Sequence, residues 1–333
     1  VGPGPAPGPT PPQRILEIVF DLIRDDLRLF EERLATELES RVDFIQAIVD
    51  DLVGAGGKRL RPTLAFLTTQ MLNARPEVGQ QVALTVELLH SASLLHDDII
   101  DDAETRRGKE TAVRRYGGVV SVMSGDYMLA RVLRLLAQIN NPEFTLLVSE
   151  TAAKVCEGEV LQHETAALAN YGLEKYGYII EGKTAELISA SVEGVGVLAN
   201  APERERQALR TFGIHYGRAF QMQDDYLDLI GDENDLGKPT GTDLREGKAT
   251  LPVLLLLERG VDEVRQILAR RASAPGDVER VSDLVRIHGV EEEAVRRIDE
   301  ESRRAVQALE IFPRSPSRDA LVRLATIEAA RVA

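Results

Sequence analysis

Helical periodicity runs through nearly the whole chain and leaves little room for anything but an all-α fold. Stretches such as ILEIVFDLIRDDLRLFEERLATEL, VALTVELLHSASLLHDDIIDDAE and GDYMLARVLRLLAQI repeat apolar residues at helical spacing. Ala, Leu, Glu and Arg dominate them, and all four favour helix. Aromatic residues are only 5% of the chain, and no alternating strand pattern with hairpin turns is present. The breaks fall at Gly54–Gly57, Gly117–Gly118, Asn140–Pro142, Asn200–Pro202, Gly231–Gly241 and Ser273–Gly276. Segments between them often run to about 20 residues, or about 30 Å. No Pro/Ser-rich linker follows residue 13, so residues 14–333 are expected to form one large helical domain. Residues 1–13, VGPGPAPGPTPPQ, read as a flexible Pro/Gly leader without the pattern of a secretory signal.

Composition excludes several function classes. With 44% of 333 residues hydrophobic, a large core is affordable. No uninterrupted apolar run reaches the roughly 18 residues of a membrane span. The net charge of −14 argues against nucleic acid held by a general electrostatic field, and against attraction to anionic lipid. A single cysteine, Cys156, precludes an intramolecular disulfide and fits a reducing cytoplasm.

The acidic residues are unevenly placed. In HDDIIDD, Asp97, Asp98 and Asp101 have the spacing DDxxD, which sets them within an arc of about 100° on one helix face. Like charges so placed repel by a few tenths of a kcal/mol per pair, and by more when partly buried. A hard, oxygen-seeking cation offsets that repulsion, and Mg²⁺ held by carboxylates, water and substrate phosphates is the natural candidate. The flanking SASLL is small or apolar, unlike an exposed acidic helix end. QMQDDYLDLIGD repeats the spacing with Asp224, Asp225 and Asp228 on a second apolar helix. Two such clusters on separate helices can face each other across shared metal ions.

Basic residues complement them. GGKRLRP supplies Lys58, Arg59 and Arg61, RRG supplies Arg106 and Arg107, and GKPTGTDLREGKATLP supplies Lys238 and Lys248. Lys183 and Thr184 lie in EGKTAEL. Taken singly, each basic group reads as a surface solubiliser. Beside glycines and metal-type carboxylates in an acidic chain, the set reads as a holder for an anion such as diphosphate.

These segments resemble the trans-prenyl diphosphate synthase family. LLHDDIIDDAETRRG resembles its first aspartate-rich motif, and FQMQDDYLDLIGD followed by GKPTGTDLREGKATLP its second. GGKRLRP, GDYMLA, EGEVLQ and GKTAEL also match, in the family's order, and the likeness runs from about residue 14 to the C-terminus. His163 and Glu164 depart from the pattern without touching a motif residue. The resemblance implies a single helical bundle of the isoprenoid synthase type with a central cavity, and a cytoplasmic homodimer without a stable membrane anchor, peripheral contact aside. It implies roughly three Mg²⁺ ions per site once substrate is bound. Asp97, Asp98, Asp101, Asp224 and Asp228 would hold metal, with Asp225 and Lys183 also in the catalytic set. Arg106, Lys183 and Lys238 would contact the allylic diphosphate, and Lys58, Arg59, Arg61, His90, Arg107 and Lys248 belong to the substrate-binding set, with isopentenyl diphosphate on Lys58, Arg61, His90 and Arg107. Gln221 and Thr184 would steady the reacting region. His96 is expected to pack or support, and His163, His215 and His288 to be structural or surface residues.

Product length follows from the channel beside the helix of Asp97. Ala92 and Ser93, about one turn before Asp97, are small where early-stopping relatives carry aromatic blocks. Each helical turn of about 5.4 Å admits about one isoprene unit, which leads to about thirty to fifty carbons with an octaprenyl product as the centre. Leu89, Met128 and Leu133 are candidate floor residues. Farnesyl or geranylgeranyl diphosphate is the expected primer. A terpene cyclase would replace the second DDxxD, a regulatory subunit would lose both clusters, and a shorter-chain synthase would need a blocked channel.

Overall fold

The computed structural model describes residues 11–54, 59–106, 109–231 and 240–330. Its helices are α1 (Pro11–Leu22), α2 (Arg24–Leu38), α3 (Asp43–Gly54), α4 (Leu60–Met71), α5 (Pro76–Ile100), α6 (Ala112–Ile139), α7 (Pro142–Ala167), α8 (Leu173–Ile180), α9 (Glu186–Leu198) and α10 (Glu203–Ile230). They continue with α11 (Thr242–Glu246), α12 (Leu251–Glu258), α13 (Asp262–Ala269), α14 (Asp277–Ile287), α15 (Val290–Ala308) and α16 (Pro316–Ala330). At the expected break after α6, Asn140 turns left-handed at φ 52°, the Asn141 side chain accepts from Phe144 N, and Pro142 takes the first helical position. The expected break at Gly117 is a kink instead, with φ 83° inside α6.

Two features depart from a purely α-helical reading. A two-residue antiparallel pair, β1 (Thr105–Arg106) with β2 (Lys109–Glu110), follows α5. It is too short to show alternation in sequence. A π-helical turn, Glu181–Ala185, joins α8 to α9. Such turns widen a helix locally and occur often at functional sites.

The core has two parts. The larger joins buried residues from α1 to α7 with α9, the first half of α10, the end of α15 and α16. The smaller gathers α8, the last turns of α10 and α11 to α15 around Tyr226, Leu254, Val281 and Ile298. α5 is buried on nearly every side, with Val82, Leu84, Val86, Leu88, Leu89, Ala92 and Leu95 all inside. It packs against α4, α6 and α9. A helix apolar all round belongs in an interior, and that places the first aspartate cluster at the end of a core element.

α10 crosses the α8–α9 arm at very short range. A Cβ on Gly217 would stand 2.4 Å from Ala185 Cα, and one on Gly213 would stand 2.4 Å from Ser189 Cα. Only glycine permits that approach, and it brings the π turn against the helix that carries the second cluster. None of the described helices is long and apolar enough to cross a membrane.

Candidate active site

The first cluster occupies the last turn of α5. Asp98 is buried and accepts from Arg106 Nε at 2.7 Å, so the short β pair folds back to clamp it. Asp101 caps the helix and accepts from Lys248 Nζ at 3.2 Å. The Asp97 carboxyl is pushed up to about 7, first by burial and then by the Glu159 carboxylate, against the opposing pull of Lys183.

Lys183 comes from the π turn. Its Nζ lies 2.7 Å from Glu159 Oε1 and donates to Gln162 Oε1 at 3.1 Å. Glycine again permits the contact, since a Cβ on Gly158 would meet Lys183 N at 3.0 Å and one on Gly182 would meet Lys154 O at 2.6 Å. EGEVLQ on α7 and EGKTA on the π turn thus meet in space. Thr184 Oγ1 donates to Gln221 Oε1 at 2.7 Å, and Gln221 Nε2 donates to Asp225 Oδ1 at 2.8 Å.

The second cluster lies on the last turns of α10. Asp224 is exposed, whereas Asp225 and Asp228 are buried. Asp225 Oδ2 accepts from the Tyr176 hydroxyl at 2.7 Å. Burial raises the Asp225 carboxyl, hydrogen bonds from Tyr176 and Gln221 oppose the shift, and Asp224 and Asp228 add to it. Asp228 Oδ2 accepts from Asp243 N at 3.1 Å. The Asp243 carboxyl is itself held well above the carboxylate range, by burial first and then by Asp225 and Asp228.

A cavity beside the second cluster is lined by Gln162, Tyr176, Lys183, Gln221, Asp225 and Lys248. Lys248 closes the circuit, since its ammonium pairs with Asp101 of the first cluster and Glu246 beside the second. Burial lowers its pKa and these carboxylates outweigh that effect, so the net shift is upward.

The residues fit a divalent cation. Asp97 carries a burial and like-charge penalty that Lys183 and Arg106 offset only in part and that a cation would relieve. Among the described residues no three acidic, histidine or cysteine side chains form a ready cage.

Some expected residues are placed differently. Arg59, expected to bind substrate, is only 8% exposed at its side chain. It donates through Nε and Nη2 to Glu31 at 2.7 and 3.0 Å and through Nη1 to Glu87 at 2.9 Å. Its guanidinium ties α2 to α5, and those carboxylates already occupy the fork that a diphosphate would need. Leu133, offered as a channel floor, is 67% exposed, because the inward face of α6 is set by Met128 and Val132. Leu89 and Met128 are buried, as is Ala92, and Ser93 Oγ turns back onto His90 O at 2.9 Å. Arg61 and His90 are half-buried on α4 and α5. His96 packs over Gly125, His215 pairs with Glu301 at 2.6 Å, and His163 and His288 are exposed. Lys58, Arg107 and Lys238 lie outside the described residues.

The model of the polyprenyl synthetase family matches residues 42–286. The chain belongs to that family. Like other polyprenyl synthetases it is a helical prenyltransferase, and its similarity runs nearly end to end. It is 34% identical over 320 residues to the octaprenyl diphosphate synthase of Escherichia coli (strain K12), covering 95% of this chain and 99% of that one. It is 34% identical over 313 residues to the all-trans-nonaprenyl-diphosphate synthase (geranyl-diphosphate specific) of Rhodobacter capsulatus, covering 93% and 96%. Among solved structures, the polyprenyl synthase of Caulobacter crescentus CB15, complexed with calcium and isoprenyl diphosphate, superposes with a TM-score of 0.89 at 34% identity, covering 96% and 98%.

Sequence reasoning assigned no role to Glu159, Tyr176 or Asp243. The matching EGEVLQ and GTDLREG segments carried a signal for Glu159 and Asp243. Nothing local marks Tyr176, whose partner is 49 residues away in sequence.

Proposed function

We propose that this polyprenyl synthetase is a long-chain all-trans polyprenyl diphosphate synthase, adding isopentenyl diphosphate head-to-tail to an allylic diphosphate. The observation that carries the reading is that two lysines lining the cavity beside Asp225 of the second cluster also reach the first, Lys248 by pairing with Asp101 and Lys183 through its charge on Asp97. Bound Mg²⁺ supplies the charge that neutralises a departing diphosphate. Asp97, Asp98, Asp101, Asp224 and Asp228 hold it. Arg106, Lys183 and Lys238 hold the allylic diphosphate; Lys58, Arg61, His90 and Arg107 hold isopentenyl diphosphate. The Thr184–Gln221–Asp225 chain, buried at both ends, keeps this wall of the cavity fixed, so the charged ends of two substrates meet preset partners. The walls must exclude water, which would otherwise quench an allylic cation.

A product of about thirty to fifty carbons fits the small residues Ala92 and Ser93 beside the first cluster, at about one isoprene unit per helical turn. The names of the octaprenyl and nonaprenyl relatives support that range. Farnesyl or geranylgeranyl diphosphate serves as primer. The chain works as a cytoplasmic homodimer, with at most peripheral contact to a membrane.

The test is incubation of purified protein with Mg²⁺, labelled isopentenyl diphosphate and farnesyl diphosphate, followed by sizing of the dephosphorylated products. A ladder ending between thirty and fifty carbons is expected, and Ala92→Tyr should shorten it. A stop at fifteen or twenty carbons would reassign the chain as a shorter-chain synthase. Absence of incorporation with every primer would favour a regulatory subunit.

A further inference from the structure

A second cavity stands beside the first cluster and, among the described residues, shares no lining with the one that holds Lys183. It lies between α3, the end of α5, the β pair and the start of α6. On α5 its wall is Leu94, Leu95 and Asp98, centred about 100° round the helix from Asp97. The rest of the apolar wall is Ile48 and Leu52 of α3 with Ala112 and Tyr116 of α6. None of these apolar residues has a part in the reaction above.

The charges of this cavity cancel. Among the described residues its lining holds three carboxylates, Asp51, Asp98 and Glu110, and three cations, Arg106, Lys109 and Arg115. Asp98 pairs with Arg106 at 2.7 Å, and Asp51 pairs with both Lys109, at 3.4 Å, and Arg115. Every lining cation is thus paired, and exposed Glu110 adds negative charge. The Thr111 hydroxyl donates to Ala103 O at 2.6 Å. A diphosphate would have to break an ion pair to bind here, whereas an uncharged molecule would not. The walls are also braced. The Asp51 clasp ties α3 to β2 and α6, and the Phe44 ring of α3 meets Tyr116 at 5.2 Å between centroids. An apolar space braced in this way keeps its unfilled contacts for a ligand.

We propose that this cavity binds an uncharged, largely apolar small molecule of the chemical class of a short prenyl alcohol. Its hydrocarbon lies against Leu52, Leu94, Leu95 and Tyr116, and its hydroxyl meets the half-exposed pairs of Asp51 with Lys109 and Arg115. The occupant's lack of charge separates this site from the cavity of Lys183 and Lys248, whose ammonium groups suit a diphosphate.

The probe is geraniol, titrated calorimetrically into the full chain without Mg²⁺ or diphosphate. One site per chain is expected, with a negative heat-capacity change from apolar burial. Ala112→Leu puts a larger side chain into the cavity and should weaken binding about tenfold, the scale of about two methylenes of lost burial. Leu52→Ser removes apolar wall instead and should weaken it similarly, which keeps the test decisive if one variant fails to fold. Saturation with Mg²⁺ and the unreactive analogue farnesyl thiodiphosphate should leave the affinity for geraniol unchanged, because the two cavities are separate. Absence of binding, unchanged affinity in either variant that folds, or displacement of geraniol by the analogue would each overturn the inference. Failure of the analogue itself to bind would count against the synthase reading and leave this site standing.

Discussion

The two DDxxD clusters are spelled alike and built differently. The first ends a helix of the larger core and is met by mobile-length side chains from outside its helix, Arg106 on Asp98 and Lys248 on Asp101. Asp97 keeps a raised carboxyl because burial disfavours its charge and the Glu159 carboxylate adds to that. The second is tied inward. Asp225 is held by Tyr176 and Gln221, and Asp228 by a backbone amide, which leaves Asp224 as its exposed member. One spacing thus yields a cluster poised for ligand at one helix end and a mostly anchored cluster at the other. The difference comes from the packing partners: α5 runs out of the core at Asp101, whereas the last turns of α10 are packed inside the smaller core.

Substitution at Asp97 and Asp224, the members with no side-chain hydrogen bond described above, should have the largest effect. Asp97→Asn and Asp224→Asn should each lower kcat/KM by about 10²- to 10³-fold, the scale of removing one preorganised electrostatic contact. Steady-state kinetics at saturating Mg²⁺ checks this, and a near-normal Asp224→Asn would break the comparison by showing that the second cluster needs no exposed carboxylate.

Arg59 marks the contrast among the cations. Arg59→Met leaves Glu87 buried without its partner and should cost about 3–5 kcal/mol of stability, read by chemical denaturation. The folded fraction should keep its KM for isopentenyl diphosphate. A raised KM with unchanged stability would restore the substrate role expected from sequence.

Lys248 pairs with Asp101 of the first cluster from the wall beside the second, so Lys248→Met should raise KM for the allylic substrate about tenfold, the loss of one charge-assisted contact. Thr184→Val removes a neutral hydrogen bond to Gln221 and should cost only about 1 kcal/mol, a several-fold change in kcat/KM. A larger effect for Thr184 than for Lys248 would mean that the anchored wall governs the site more than the bridge does.

The pH dependence sharpens the comparison further. A carboxyl held above its unfolded value binds its proton more tightly in the folded chain, so its contribution to stability falls as pH rises from 3.8 through about 7. Without Mg²⁺, Asp97→Asn should therefore melt higher than wild type, by a margin that grows across that window. Calorimetry at pH 5 and pH 8 reads it, and a margin independent of pH would place the Asp97 titration elsewhere.

The sequence by itself determined the helical class, the two aspartate clusters, the basic segments beside them and a few helix ends, such as the Asn140–Pro142 junction. Each rests on local chemistry: apolar periodicity, Asn and Pro at caps, carboxylates at fixed spacing. Tertiary structure alone decided which members of those sets face the cavity. Arg59 reads like its neighbour Arg61 until Glu31 and Glu87 close on it. Leu133 and Met128 are both apolar residues of α6, and only the packing of α5 against α6 puts one inside and the other out. Tyr176 acquires its role from a carboxylate 49 residues away. Spacing fixes what shares a helix face, whereas the partner across an interface depends on which helices cross and how closely, and here the small residues at Gly158, Gly182 and Gly217 set that distance.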